Sequence, residues 1–246
     1  MALPVPLQGR LAIPAIAGPM FPASGPDLVI ETCRGGVLGT LSALDHCTSS
    51  GFEECLSHIQ LGLRPDDAPF GVNLIVHASN PRFADDFAIS IEHRVPVVLT
   101  ALGIANEVVE RVHGYGGVVF HEVASVRQAK AAANAGVDGL VVTSAGAGAD
   151  ADTADPLALL PAIRRLFGGT IVLAGGISDG RGIAAARMLG ADLARIGSRL
   201  VASVDSPGAS LRAARELCRR LAREYAEAVD GFRASATDFA RPPTPF

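Results

Sequence analysis

Eight short apolar runs rich in Val, Ile and Leu recur along this chain, and Ala-rich segments of helical period separate them. The runs fall at 11–18, 36–41, 70–76, 95–102, 117–123, 139–144, 170–176 and 193–198, with helical patterns at 26–36, 51–63, 81–94, 105–116, 125–136, 156–168 and 180–190. Strands that alternate with helices in this way form βα units around a parallel sheet. Eight units close a barrel, so the expected fold class is α/β, a single (β/α)8 TIM barrel. The structural rival, a doubly wound open sheet, would place G-x-G-x-x-G after its first strand, and no such motif stands there.

A length of 246 residues with 49% hydrophobic content suits one core of this size. We expect the barrel over 1–206, followed by an amphipathic helix and an irregular Pro-rich tail over 207–246, all in the same domain. The helix at 209–229 has one apolar and one charged face, which fits it to flank the barrel or to form a contact in a homodimer. The stretches 125–144 and 178–198 repeat one pattern: an Ala-rich helix, a Gly, an acidic residue and a strand.

Charge and composition exclude several functions. A net charge of −4 with dispersed arginines offers no footprint for nucleic acid. No apolar run reaches the roughly 18 residues of a membrane span, and the first residues lack a signal-type pattern, so a cytoplasmic protein without a membrane partner is expected. Four cysteines at irregular spacing read as reduced thiols. Lys130, the one lysine in the chain, lies in a helical run and not at a strand end, which argues against imine chemistry.

Barrel enzymes work at the C-terminal strand ends, and a phosphate often sits on the loops after strands 7 and 8. Gly175 and Gly176 end the seventh run here, and Gly197 with Ser198 ends the eighth. Glycines let backbone N–H groups approach a phosphate, although they also serve simply to turn a chain. Asp45 and His46 after the second run, and His77 after the third, are placed on the same face to supply acid or base; His58, His93 and His113 fall on helices and read as structural. The spacing of Asp150, Asp152 and Asp155 lacks the Gly and the terminal Glu of a calcium loop, so no metal is expected.

The segments PAIAGPMFPASGPDLVIETCRGGVLGTLSAL, FGVNLIVH, VVFHEVASVRQAKAAANAGVDGLVV and IVLAGGISDGRGIAAARMLGADLARIGSRL resemble the nitronate monooxygenase (2-nitropropane dioxygenase-like) family of FMN-dependent TIM-barrel oxidoreductases. That family also includes quinone and enoyl-acyl carrier protein reductases. The resemblance runs from about residue 12 to 206 and implies FMN as cofactor. It places Pro19, Met20 and Phe21 beside the flavin ring, Asn73 in hydrogen bonding to it, and Gly175, Gly176, Gly197 and Ser198 around its phosphate. It puts His121 where many relatives carry a lysine near the flavin pyrimidine, the alternative being a hydrogen-bonded core histidine.

Relatives typically carry G-A-G-G-H-A-G after strand 6, whereas this chain has GAGADADTAD. Ala149 and Asp150 thus replace Gly-His, and a carboxylate stands where a histidine would face an anionic substrate. Asp150, His121 and His46 are the candidate catalytic residues, and the alternative for Asp150 is a solvated acidic loop. The implied activity is an FMN-dependent oxidase or monooxygenase that uses oxygen on a small substrate other than a simple nitronate. An NAD(P)H-dependent reductase of quinone or enoyl substrates is the first alternative, and a flavin-free isomerase or lyase acting on a phosphorylated metabolite is the second. Many relatives continue past the barrel into a segment that roofs the site, so a more open pocket, or one covered by a second subunit, is expected.

Overall fold

The computed structural model describes residues 3–19, 25–103, 106–144, 155–204 and 212–236. Its eight strands are β1 (Ala15–Ala17), β2 (Gly39–Ser42), β3 (Phe70–Ile75), β4 (Val97–Ala101), β5 (Val118–Val123), β6 (Gly139–Thr143), β7 (Thr170–Ala174) and β8 (Leu193–Ile196). All pair in parallel, each with its sequence neighbour from β2 to β8, and β8 pairs with β1. One parallel bridge, Ile16 opposite Leu38, joins β1 to β2. The Ala17 amide donates to the Leu38 carbonyl there at 2.8 Å, and the sheet closes. This is the expected TIM barrel.

Between the strands run α1 (Pro26–Arg34), α2 (Ser49–Gly62), α3 (Phe83–Glu92), α4 (Asn106–His113), α5 (Val126–Asn134), α6 (Pro156–Leu166) and α7 (Gly180–Met188). Four start on a capping side chain: Thr48, Ser125, Asp155 and Asp179 each accept from an amide of the first helical turn. Such caps satisfy N–H groups that a helix leaves unpaired, and they fix where each βα loop ends.

The barrel has two cores. Alternate strand residues such as Val72, Val98, Val119, Leu140 and Ile171 pack outward against the helices. The others, among them Ile16, Leu99, Phe120, Val141 and Val172, fill the lumen, whose N-terminal end is plugged by Leu7 from a short 3-10 turn at Val5–Leu7. The sequence repeat explains part of the frame. Asp138 and Asp192, at equivalent places before β6 and β8, each pair through main chain and carboxylate with the second residue of the preceding strand. The Asp138 carboxylate accepts from the Val119 amide at 2.7 Å, and that of Asp192 from the Ile171 amide at 2.9 Å.

Two helices follow the barrel strands: the short α8 (Ser198–Val204), which sequence periodicity did not reveal, and α9 (Arg212–Ala236). Ala214, Leu217, Cys218 and Leu221 are buried along one stripe of α9, which packs against α1, α7 and α8. Each buried Leu contributes about 1.5–3 kcal/mol, so this stripe is enough to hold α9 on the barrel wall. No described helix is long and apolar enough to cross a membrane.

Candidate active site

Side chains alternate between the two faces of a strand, so the lumen residues nearest the C-terminal rim can be read from the cores. They are Gly18, Ser42, Ile75, Ala101, Glu122, Thr143, Ala174 and Arg195, with Asn73 one lumen position below Ile75. Only two of these are charged, and they pair: the Arg195 guanidinium, from β8, reaches across to the Glu122 carboxylate of β5. Their side chains are 15% and 27% exposed, respectively. The stem of Arg195 lies over Gly18, where a Cβ would come within 3.0 Å of the Arg195 Cδ. Beside this floor stands Asn73, which is buried and whose Oδ1 has no hydrogen-bond partner. A buried amide oxygen without a donor is costly unless a ligand supplies one.

The rim above is built from loops. Gly175 and Gly176 leave β7 with φ of 134° and 62°, and a Cβ on Gly176 would meet nothing within 4 Å. Gly197 leads directly from β8 into α8, which begins at Ser198. The sequence-derived positions Pro19, Asn73, Gly175, Gly176, Gly197 and Ser198 therefore share one end of the barrel. Met20, Phe21, Asp150 and Asp152 lie outside the described residues. Asp155 is described, and its carboxylate is turned to the start of α6, where it accepts from the Leu157 amide at 2.8 Å.

The loop after β2 is clamped from α3. Arg82 donates to the carbonyls of Ala43 and His46 and pairs with Asp86, which is fully buried and also accepts from the Ser49 hydroxyl at 2.6 Å. His46 is on the expected face, but its ring sits 6.1 Å from that of Phe52 with Nε2 enclosed and unpaired. Burial pushes the His46 imidazole below its ordinary pKa and the Asp45 carboxyl above its own. His77 accepts from the Ser79 amide in a local turn at 3.1 Å.

His121 lies on the other face of its strand from the lumen residues. It shares a strand face with Val119 and Val123, and that face is turned to the helices. Its Nδ1 lies 2.7 Å from the Thr100 hydroxyl of the neighbouring strand, it is buried, and burial holds its pKa below the usual value. The side chain does not open on the lumen, and the lumen position on β5 belongs to Glu122. The sequence reading passed over Glu122, Arg195 and Arg82. A period of two through VVFHEV and LARI would have found the first two, since both charges fall in phase with lumen residues.

A closed parallel barrel with a polar, glycine-rimmed C-terminal mouth defines an enzyme-type TIM barrel site. The family model described as nitronate monooxygenase matches residues 10–240, and the chain belongs to that family, within the FMN TIM-barrel oxidoreductases. A (3aS,4S,5R,7aS)-5-hydroxy-7a-methyl-1-oxo-octahydro-1H-indene-4-carboxyl-CoA dehydrogenase from Rhodococcus jostii strain RHA1 is 30% identical over 78% of this chain and 53% of its own length. A nitronate monooxygenase from Neurospora crassa is 28% identical over 78% of this chain and 60% of its own. The chain thus spans a little over half the length of these curated relatives. A mutant of FabK from Thermotoga maritima superposes with a TM-score of 0.80 at 22% identity, covering 94% of this chain and 97% of that one, which shows the same fold.

Proposed function

We propose that the chain holds FMN across the C-terminal mouth of its barrel and oxidises a small substrate other than a simple nitronate, with molecular oxygen as acceptor. The observation that carries the reading is the Glu122–Arg195 pair. The two charges on the lumen face of the described strands neutralise each other. An anionic nitronate therefore finds no unpaired cation on that floor, whereas a neutral substrate incurs no electrostatic penalty there.

The residues present fit a flavin. Asn73 offers an unpaired buried amide oxygen to a ring that carries a hydrogen-bond donor. The glycines after β7 and β8 leave backbone amides open, and a short helix follows directly, which is the arrangement that takes a phosphate in many barrels. FMN, when bound, supplies the redox chemistry, and the protein supplies position and electrostatics. Arg195 and Glu122, held by each other, form a neutral polar floor beneath the ring system. The Arg82–Asp86 clamp holds Asp45 and His46 at the rim. Asp150 stands in for the family histidine and disfavours an anion beside it.

The test begins with an absorbance spectrum and chromatography of acid-released flavin, where recovery of FMN is expected and recovery of FAD or no flavin would overturn the reading. Oxygen consumption with alkyl nitronates should be poor in the natural sequence and improve in Asp150→His with Ala149→Gly. Efficient turnover of nitronates by the natural sequence removes the argument from charge. A second reading is favoured by the dehydrogenase named among the relatives. On that reading the chain is a reductase or dehydrogenase that exchanges electrons with NAD(P)H, and rapid anaerobic bleaching by NAD(P)H would select it.

A further inference from the structure

One carboxylate on α9 ties together the two loops that form the glycine rim. Glu224 accepts from the Gly180 amide at 3.1 Å and receives both terminal nitrogens of Arg199, at 3.0 and 3.1 Å. Arg199, the second residue of α8, also donates to the carbonyl of Ser178, in the loop after β7, at 2.6 Å. The Arg199 guanidinium holds the Glu224 carboxyl below the usual carboxylate range. Gly180 is where loop and helix meet most closely, for a Cβ there would fall 2.2 Å from the Tyr225 amide nitrogen. No residue with a side chain could stand at that position without moving α9 away.

The same bonds determine which amides remain for a ligand. The start of α7 is already occupied, because Asp179 accepts from the Gly182 amide and Glu224 from that of Gly180. Among the amides of these two loops, those of Gly175, Gly176, Ile177, Ser178, Asp179, Gly197 and Ser198 make no hydrogen bond within the described residues, and the glycine amides are the ones no side chain shields. Two loops that approach one phosphate from different strands must keep a fixed spacing, and a displacement of a few tenths of an ångström weakens charge-assisted bonds. Arg199 is not available as a free cation, since both its terminal nitrogens are engaged.

We propose that Glu224 is a positioning residue for the phosphate end of the flavin site: through Gly180 and Arg199 it sets the spacing of the loops after β7 and β8, so that α9 belongs to the cofactor site without touching the cofactor. The inference rests on the FMN reading above. It requires that Glu224 matter for FMN and not for riboflavin, which carries the same ring system and lacks the phosphate.

The experiment titrates the 246-residue chain, stripped of flavin, with FMN and with riboflavin, following quenching of flavin fluorescence. Glu224→Gln, which keeps one acceptor, and Glu224→Ala, which keeps none, are compared with the natural sequence, and circular dichroism checks that each is folded. Glu224→Ala should weaken FMN by about tenfold and riboflavin by less than about twofold, with Glu224→Gln in between for FMN. Should Glu224→Ala fail to fold, Glu224→Gln and Arg199→Lys carry the same comparison. Equal loss of both flavins would make Glu224 merely structural and overturn the inference. Unchanged FMN affinity would overturn it as well, and tighter FMN binding would mean that Glu224 restrains a cation instead of placing loops. If the natural sequence takes up neither flavin, the FMN reading itself falls and the inference falls with it.

Discussion

His121 and Glu122 are neighbours in sequence and belong to different parts of the molecule. On the helix side of the barrel wall, His121 is buried with its Nδ1 bonded to the Thr100 hydroxyl. On the lumen side, one residue later, Glu122 crosses a partly open cup to meet Arg195. On the helix side His121 is buried and paired to the neighbouring strand, so it bears on stability. The lumen side near the rim keeps charge and an unpaired amide within reach of a ligand, at a cost to stability that a pure scaffold would avoid. Adjacent residues thus take opposite roles because a strand turns successive side chains to opposite faces.

The largest effect should come from breaking the lumen pair. Removing one member of a fully buried ion pair costs about 3–5 kcal/mol because the remaining charge is left uncompensated, and partial exposure lowers this. With Arg195 and Glu122 15% and 27% exposed, we expect Arg195→Met to lose about 2 kcal/mol in urea unfolding. The double variant Arg195→Met with Glu122→Gln should recover most of it, since neither charge is then stranded. A double variant no more stable than Arg195→Met would mean that the two groups do not compensate each other. If the pair also faces the cofactor, the flavin reduction potential should fall in Arg195→Met, whereas the same substitution should leave the His121 environment unchanged.

A smaller effect is expected on the other face. His121→Leu removes the nearer of two partners of the Thr100 hydroxyl, leaving the Phe120 carbonyl at 3.5 Å, and should cost about 1–2 kcal/mol, with FMN affinity and flavin potential unaltered. The pH dependence has a definite sign. Burial lowers the imidazole pKa in the folded state, so the unfolded chain takes up the proton first as pH falls. Stability contributed by neutral His121 is present above the unfolded histidine pKa of about 6.5 and is lost as pH drops below it. His46 shares this direction, so His121→Leu should flatten the loss of melting temperature between about pH 7 and 5 without abolishing it. A shift in flavin potential on replacing His121 would return it to the cofactor.

The fold was largely legible because the evidence for it is local. β5 reads from sequence as 117–123 and spans Val118–Val123, and the other strands agree to within a few residues except β1, whose apolar run extends well beyond its three paired residues. The helix α8 was not legible, since seven residues between a glycine and the following segment carry too short a period to separate from a loop. The site was legible where glycines and an asparagine stand at strand ends, because there the residue type itself limits the reading. It was not legible where function depends on pairing. Arg195 meets a partner 73 residues away, and Glu224 joins loops that only the packing of α9 brings near it. For His121 the sequence says which strand end the residue is near, and the structure adds which face it takes.

The smallest effect is expected at Gly176, on the lumen rim, and it separates the needs of the chain from those of a ligand. With φ of 62°, Gly176 adopts a backbone that an L-residue adopts at a cost of about 1–2 kcal/mol, and a Cβ there would meet nothing within 4 Å. Gly176→Ala should therefore lose only about 1 kcal/mol, a fall of roughly 2–4 °C in the melting temperature of the flavin-free protein. Gly176→Asn should lose less, because a short polar side chain tolerates the left-handed conformation. Flavin binding should reverse that order. If the open space above Gly176 is where a phosphate sits on backbone amides, the larger Asn side chain intrudes on it, and FMN affinity should fall further in Gly176→Asn than in Gly176→Ala. Riboflavin affinity should barely change in either. FMN binding that simply follows the stability of the two variants would show that Gly176 serves only to turn the chain, and the phosphate would then have to be sought at another part of the rim.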